Sequence, residues 1–297
     1  MKKILITGAG SYIGTALARH LAQWPERYLV DTVDMVGSDW REKSFSGYDC
    51  VYHVAGIAHA DTGAVSEERK KLYYEVNTDL AVETARKAKR DGVPQFIFMS
   101  SASVYGSTTP IGRENMITRE TPFAPSNVYG DSKVKAEQGI LPLADDRFKV
   151  AILRPPMIYG PGSKGNYPTL SKLAKKLPVF PVVENRRSML FIDNLTEFVR
   201  LIVENEEAGI FCPQNAEYSN TTAIVRQIAE LHGKKILFVR GFAWALKLMS
   251  LATTLPNKAF GNMTYSMELS RYREPYQRYS LEESIRITEQ SEPADAG

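Results

Sequence analysis

Cysteine is scarce in this chain, long apolar runs are missing and net charge is slight, and each shortage removes a class of function. Cys50 and Cys212 are the only two cysteines in 297 residues, too few and too far apart for a disulfide framework or for the paired ligands of a zinc ribbon. A reduced, cytoplasmic setting is therefore expected. No apolar stretch approaches the roughly 18 residues that span a bilayer. The basic start, Met1-Lys2-Lys3, is followed only by Ile4, Leu5 and Ile6 before Thr7-Gly8 breaks the run, which is too short for a secretory leader. The four histidines, His20, His53, His59 and His232, form no i, i+4 pair, so a zinc hydrolase is not expected and no metal is assigned. Lys and Arg number 37 against 34 Asp and Glu, a net charge of +3, and they are scattered along the chain. Neither nucleic acid nor an anionic membrane is an expected partner.

What is present is an alternation of short apolar runs with helical spacing, in a chain long enough for about two domains. Lys2 to Ile6 reads as a strand, Tyr12 to Trp24 as a helix, and Tyr28 to Val33 and Cys50 to Val54 as buried strands. A long helix is expected over Ser66 to Arg90, then a strand at Phe96 to Met99, a helix over Ser126 to Leu141 and a strand at Val150 to Leu153. That alternation predicts an α/β fold, a doubly wound parallel sheet of the Rossmann type. Beyond Arg154 the punctuation changes, with Pro155, Pro156, Gly160, Pro161, Gly162, Gly165 and Pro168 in one loop-rich stretch. Residues 1–155 are therefore expected to bind a dinucleotide, and 156–297 to form mainly a smaller, interleaved substrate region, with about 188–212 returning to the main sheet. Phe242 to Leu255 is apolar at helical spacing and is expected in a core or interface. Ser291 to Gly297 reads as a frayed tail.

Gly8-Ala9-Gly10-Ser11-Tyr12-Ile13-Gly14 lies between the first strand and the first helix. Glycine lets the backbone turn tightly and approach a pyrophosphate, whose charge is then met by N–H groups at the helix start. Such a turn is also a common structural device. Asp34 stands 20 residues beyond Gly14, the spacing at which a carboxylate accepts hydrogen bonds from ribose hydroxyls. It would repel a 2′-phosphate, so NAD is expected over NADP, although Arg41 nearby leaves NADP open.

Tyr129 and Lys133 are four apart near the start of a predicted helix, and so share one face. A phenol titrating near pH 10 is a poor base at neutrality, but a lysine ammonium and a positive nicotinamide ring beside it favour the phenolate. A hydroxyl proton can then be removed while hydride leaves the same carbon. The same pair would sit equally well on a solvated helix. Upstream, Met99-Ser100-Ser101-Ala102-Ser103-Val104-Tyr105-Gly106 ends a strand, where hydroxyls face the ligand crevice of a parallel sheet or simply cap a turn.

Taken in order, these segments resemble the extended short-chain dehydrogenase/reductase family, in its NAD-dependent nucleotide-sugar epimerase/dehydratase branch, up to about Asn215. The resemblance implies cofactor contacts from Gly8, Gly10, Ser11, Tyr12, Ile13 and Gly14, from Asp34, from Ala55-Gly56 at a strand end and from Asn77 on the long helix. It implies Ser101, Tyr129 and Lys133 as the catalytic set, the last two also touching the cofactor, and Pro156 of Leu153-Arg154-Pro155-Pro156 beside the nicotinamide. Ser101, Ser103, Asn166 and Arg187 are implied on the sugar side, the arginine suited by its bidentate fork to a nucleotide diphosphate. A homodimer through the helices at 66–90 and 126–141 is also implied. The chain departs from the family in two places. Ser11 stands where a middle glycine is usual, and only 16 residues separate Asp34 from Val51, which predicts a trimmed crossover with Asp39 near the adenine.

The positions after Ser101 exclude reactions. Family dehydratases carry an Asp-Glu pair there, and family 3,5-epimerising reductases carry a cysteine at the place of Ser103; this chain has Ala102 and Ser103. What the resemblance leaves is oxidation or reduction at one sugar carbon. The expected function is an NAD-dependent 4-epimerase of a UDP-hexose or UDP-N-acetylhexosamine, working through a 4-keto sugar. The alternatives are an NAD(P)H-dependent 4-keto-sugar reductase of a nucleotide-linked deoxysugar and a non-catalytic cofactor-sensing protein.

Overall fold

Runs of apolar residues with no polar alternation form strands buried on both faces, and here they do so in a single parallel sheet. The computed structural model describes residues 1–57, 65–106, 113–241 and 260–291. The apolar run Phe242 to Leu255 and the tail beyond Ser291 lie outside them. The chain divides into two compact units. The first is Met1–Gly106, Pro122–Pro155 and Leu195–Pro213; the second is the described part of Ser107–Thr121, Pro156–Asn194 and Gln214–Gly297.

The first unit is built on β1 (Lys2–Thr7), β2 (Tyr28–Val33), β3 (Cys50–His53), β4 (Gln95–Met99), β6 (Lys149–Leu153) and β10 (Gly209–Phe211). Their spatial order is β10-β6-β4-β3-β1-β2, and every pairing is parallel. The chain leaves β1 for β2 on one side and returns to β3 on the other, so the strand order reverses beside β1. The carboxyl ends at such a reversal open the crevice in which parallel sheets bind ligands. β2, expected as a buried strand, lies at the sheet edge, so that only Tyr28 and Val33 are buried and Leu29 is in solvent.

Helix α1 (Tyr12–Leu21) follows β1 and stops a few residues short of the expected Trp24, where Trp24 accepts turn hydrogen bonds from Arg27 and Tyr28. The long helix forms as α2 (Glu67–Tyr74) and α3 (Leu80–Arg90), joined by a π turn at Glu75–Asp79. Helix α4 (Val128–Ile140) carries Tyr129 and Lys133. The β2-to-β3 crossover is trimmed to a single 3-10 turn, Asp39–Arg41. Met35, Trp40 and Phe45 from that crossover are buried in one cluster with Phe96, Phe98 and Phe148, filling the place of a full helix. Each such large side chain contributes about 1.5–3 kcal/mol by leaving water.

The second unit holds three short parallel pairs: β5 (Met116–Ile117) with β12 (Thr264–Tyr265), β7 (Met157–Tyr159) with β9 (Met189–Phe191), and β8 (Val179–Pro181) with β11 (Leu237–Val239). Helices α5 (Asn166–Lys176), α7 (Thr221–Leu231) and α8 (Leu281–Gln290) complete it, while α6 (Ile192–Glu204) belongs from Leu195 onward to the first unit. No helix among the described residues is long and apolar enough to cross a membrane.

Candidate active site

At Gly8, just past the carboxyl end of β1, the backbone leaves no room for a side chain. Gly8 has φ +88°, and a Cβ there would stand 2.9 Å from the Cα of Ala55, at the end of β3. Only glycine fits both the left-handed conformation and the close approach. The amides of Gly8 and Ala9 donate to the Val33 carbonyl at 2.9 and 3.2 Å, which fixes the turn beside the end of β2 and hence beside Asp34. Ser11 is the N-cap of α1, its hydroxyl accepting from the Gly14 amide at 3.1 Å. That hydrogen bond accounts for a serine where the family pattern has glycine. Gly14 lies against the strands, with Ile6 and Val54 within 3.2 Å of any added Cβ. A cradle of this kind, closed to side chains and opening on a helix N-terminus, fits a pyrophosphate. Asp34 is exposed and accepts from the Val36 amide at 3.0 Å; Asp39 is exposed at the start of the 3-10 turn. Arg41, the residue that left NADP open, is engaged by Glu83 through two hydrogen bonds of 2.5 and 2.6 Å.

Four segments meet on the other side of the crevice. Ser101 lies just past β4 and caps the 3-10 turn Ala102–Tyr105, its hydroxyl accepting from the Ser103 amide and donating to the Ser103 hydroxyl, both at 3.2 Å. The hydroxyls of Ser101 and Tyr129 share a hydrogen bond. Gly130 permits this meeting, because a Cβ there would overlap the Ser103 carbonyl oxygen and force α4 away from the turn. Burial pushes the Tyr129 phenol above its ordinary pKa, the Ser101 bond opposes that rise, and the Tyr73 phenol adds to it. Lys133, one helical turn on, is buried and donates to the Met99 carbonyl at 2.9 Å. Burial pulls its ammonium down to about 8, with Glu137 working against the fall.

Asn77 completes this wall. The π turn that carries it is a feature frequent at functional sites. Its side chain is fully buried; Oδ1 accepts from the Ile57 amide at 2.8 Å, and Nδ2 donates to the Ile57 carbonyl and the Ser132 hydroxyl, each at 3.2 Å. A Cβ on Gly56 would reach to 3.0 Å from Asn77 Oδ1 and 3.5 Å from Lys133 Nζ. Below, the Thr7 hydroxyl and His53 Nδ1 are 2.8 Å apart, and burial first, then the charge of Lys133, pulls that imidazole down to about 3, keeping it neutral.

Behind Tyr129 and Lys133 lies a charged cluster that sequence reasoning missed. Glu137, without any exposure, accepts hydrogen bonds from Ser100 and from both Nε and Nη2 of Arg154, and Arg154 Nη1 donates to the Tyr105 hydroxyl at 2.6 Å. Burial works against the Arg154 charge, but Glu137 more than offsets it and holds the guanidinium above its ordinary range. Two signals were available: Glu137 follows Lys133 at i+4, and Gly130 sits inside a predicted helix where nothing local calls for glycine.

The remaining expected positions fall at or beyond Pro156, in the second unit. Pro156 is buried directly after β6; Asn166 is exposed at the first residue of α5. Arg187 pairs with Ser219 through backbone bonds of 3.0 and 2.9 Å, and burial lowers its guanidinium to about 10, which leaves it cationic at neutral pH.

A model of the NAD dependent epimerase/dehydratase family matches residues 4–211, which takes in the whole glycine turn and the Ser101, Tyr129 and Lys133 wall. The chain belongs to this family. Within the family it is 32% identical over 249 residues, 77% of this chain and 75% of the other, to a UDP-glucose 4-epimerase of Vibrio cholerae. It is 26% identical over 252 residues, 78% and 73% of the two chains, to the N-acetyl-alpha-D-glucosaminyl-diphospho-ditrans,octacis-undecaprenol 4-epimerase of Escherichia coli O157:H7. The fold is shared with the crystal structure of a dTDP-4-dehydrorhamnose reductase from Bacillus anthracis, at TM-score 0.71 and 20% identity over 97% of this chain and 99% of that one. Membership makes the chain an NAD-dependent enzyme of the epimerase and oxidoreductase kind.

Proposed function

We propose that the chain is a 4-epimerase of a nucleotide-diphosphate hexose, with a UDP-hexose or UDP-N-acetylhexosamine as substrate. One observation carries the reading: the hydroxyls of Ser101 and Tyr129 are hydrogen-bonded to each other, with Lys133 one turn along the same helix and no carboxylate at positions 102 or 103. That set can move a proton on and off a sugar hydroxyl, and it lacks the acids that an elimination needs. The relatedness to a UDP-glucose 4-epimerase over three quarters of both chains supports the same choice.

Gly8 to Gly14, Asp34, Ala55-Gly56, Asn77, Tyr129, Lys133 and Pro156 would hold NAD, which when bound would supply a positive ring, an acceptor for the C4 hydride and the same hydride for its return. Tyr129 as phenolate takes the proton of the 4-hydroxyl. Ser101 holds that oxygen and, by donating to it, spreads the charge that develops there. Ser103 supports the Ser101 hydroxyl, and Lys133 keeps a positive charge beside the phenol. Asn166 and the cationic Arg187 belong to the sugar and diphosphate. Once the 4-keto sugar has turned over in its pocket, Tyr129 returns the proton to the oxygen on the other face.

Incubating the protein with UDP-glucose, UDP-galactose and their N-acetylamino counterparts tests this. Interconversion at C4 without net consumption of NAD is the expected result. Stoichiometric oxidation of NADH or NADPH by a nucleotide-linked 4-keto deoxysugar, with no interconversion, replaces the epimerase with the reductase that uses the same residues once.

A further inference from the structure

We propose that Glu137 is a positioning residue for this site: its buried carboxylate clamps helix α4, which carries Tyr129 and Lys133, to the strand ends that present Ser101, and so keeps the serine hydroxyl on the phenol. The inference rests on the acid–base reading above. Ser101 sits on the loop after β4, and its neighbours on both sides are tied to the end of β6. The Ser100 amide donates to the Leu153 carbonyl at 2.8 Å, and the Ala102 amide donates to the Pro155 carbonyl at 2.9 Å. Between those two acceptors lies Arg154, whose side chain turns back to Glu137 on α4 through Nε, at 3.1 Å from each carboxylate oxygen, and through Nη2. The Ser100 hydroxyl also donates to Glu137. One carboxylate therefore ties α4 to both anchors of the Ser101 loop, beside the Lys133 bond to the Met99 carbonyl.

A buried ion pair is a poor way to gain stability, since desolvation cancels most of the attraction. Fixing one geometry is the use that remains. The cluster is fully engaged: Lys133 faces Glu137 from its own helix, Arg154 from β6, and Tyr105 closes the far side of the guanidinium. Arg154 is further held over the Phe123 ring, 4.7 Å from its centre. A polar network satisfied at every member is rigid. Rigidity is needed here, because a shift of about 1 Å in a group that acts on the reacting atoms costs on the order of 10²-fold in rate.

A double-mutant cycle separates positioning from bulk stability. Glu137→Gln and Ser100→Ala are made alone and together with Ser101→Ala. Two readouts are taken: kcat and KM for UDP-glucose and UDP-galactose interconversion, and the phenolate absorbance titration of Tyr129, read as the difference from the same protein carrying Tyr129→Phe. Glu137→Gln is expected to lower kcat by about 10²-fold with KM little changed. Ser100→Ala, which leaves the ion pair intact, lowers it several-fold, and both raise the pH at which Tyr129 ionises. In the Ser101→Ala background Ser100→Ala has no further effect, and Glu137→Gln keeps only the smaller loss that acts through the Lys133 charge. Fold losses that multiply in both backgrounds, or an unmoved Tyr129 titration, overturn the clamp. If Glu137→Gln does not fold, Ser100→Ala alone decides the cycle. Ser101→Ala that alters neither turnover nor the titration sinks the acid–base reading itself, a result distinct from failure of the clamp.

Discussion

The two sides of the crevice are made by opposite means. On the β1 side the site is backbone: Gly8 removes a side chain so that the turn can press on Ala55, and Ser11 caps the helix behind it. Its parts lie within a few residues of one another. On the β4 side the site is made of side chains from β4, α4, β6 and the 3-10 turn, locked by a buried carboxylate and guanidinium. On the proposed reading the first side serves binding and the second mainly chemistry, with Asn77 and Lys133 also reaching the cofactor. Damage to the first should appear in cofactor affinity and stability, and damage to the second in turnover.

The sharpest break of that division is Tyr129→Phe. Removing a positioned general acid–base group costs about 10²–10⁴-fold in rate. kcat should fall by that factor while NAD affinity, measured by titration, changes far less. A comparable loss of NAD affinity would mean that the two sides are not separable. Gly130→Ala is the next largest, because the added methyl meets the Ser103 carbonyl and pushes the Ser101 turn off α4. A displaced Ser101 should cost on the order of 10²-fold in kcat, again with NAD affinity retained.

How much of this was legible follows the same division. The glycine turn, the positions of the strands and the shortened crossover could be read directly, because each depends on residues close in sequence. The N-cap role of Ser11 went unread, because the family pattern drew attention to the missing glycine and not to the helix start. The π turn under Asn77 was not legible, since the helical spacing of 66–90 continues through it without a break. Nor was the Glu137 cluster, which joins residues 100, 105, 137 and 154 from separate segments. Side chains that meet only after the sheet is assembled leave little periodicity in the chain. Gly130 shows the same limit from the other direction: its neighbour is the carbonyl of Ser103, which no local rule identifies.

On the binding side, Gly8→Ala and Gly10→Ala form a matched pair. Both residues have left-handed φ, +88° and +75°, but only Gly8 faces a neighbour at 2.9 Å. Gly10→Ala should cost only the conformational term, about 1–2 kcal/mol, and Gly8→Ala distinctly more, with a loss of NAD affinity by a factor of about ten or greater. Thermal unfolding and NAD titration measure the two. Equal costs would remove the close approach to Ala55 from the account of the turn.

The pH response of Lys133 sets activity against stability. On the proposed reading its ammonium, pulled by burial to about 8, assists the phenol, so kcat/KM for the free enzyme should decline as pH rises through about 8. In the unfolded chain the same lysine holds its proton to about 10.4. Between those values the unfolded state binds more protons, so the contribution of Lys133 to stability should increase with pH. Denaturant midpoints taken alongside the rate profile test the opposing trends. A decline in rate with no such gain in the wild type relative to Lys133→Met would assign the limb to another group.

The smallest expected effect concerns cofactor choice. Arg41 is the cation beside the turn that could meet a 2′-phosphate, but Glu83 occupies it through two hydrogen bonds with both side chains almost half exposed. An exposed pair of this kind contributes at most about 1 kcal/mol, so Glu83→Gln should free Arg41 and raise the NADP-to-NAD affinity ratio by no more than about fivefold. Asp34, left in place, still repels the extra phosphate and keeps NAD ahead. Parallel titrations with the two dinucleotides give the ratio. A reversal in favour of NADP from this single change would show that the Arg41–Glu83 pair, and not Asp34, sets the preference on the backbone-built side.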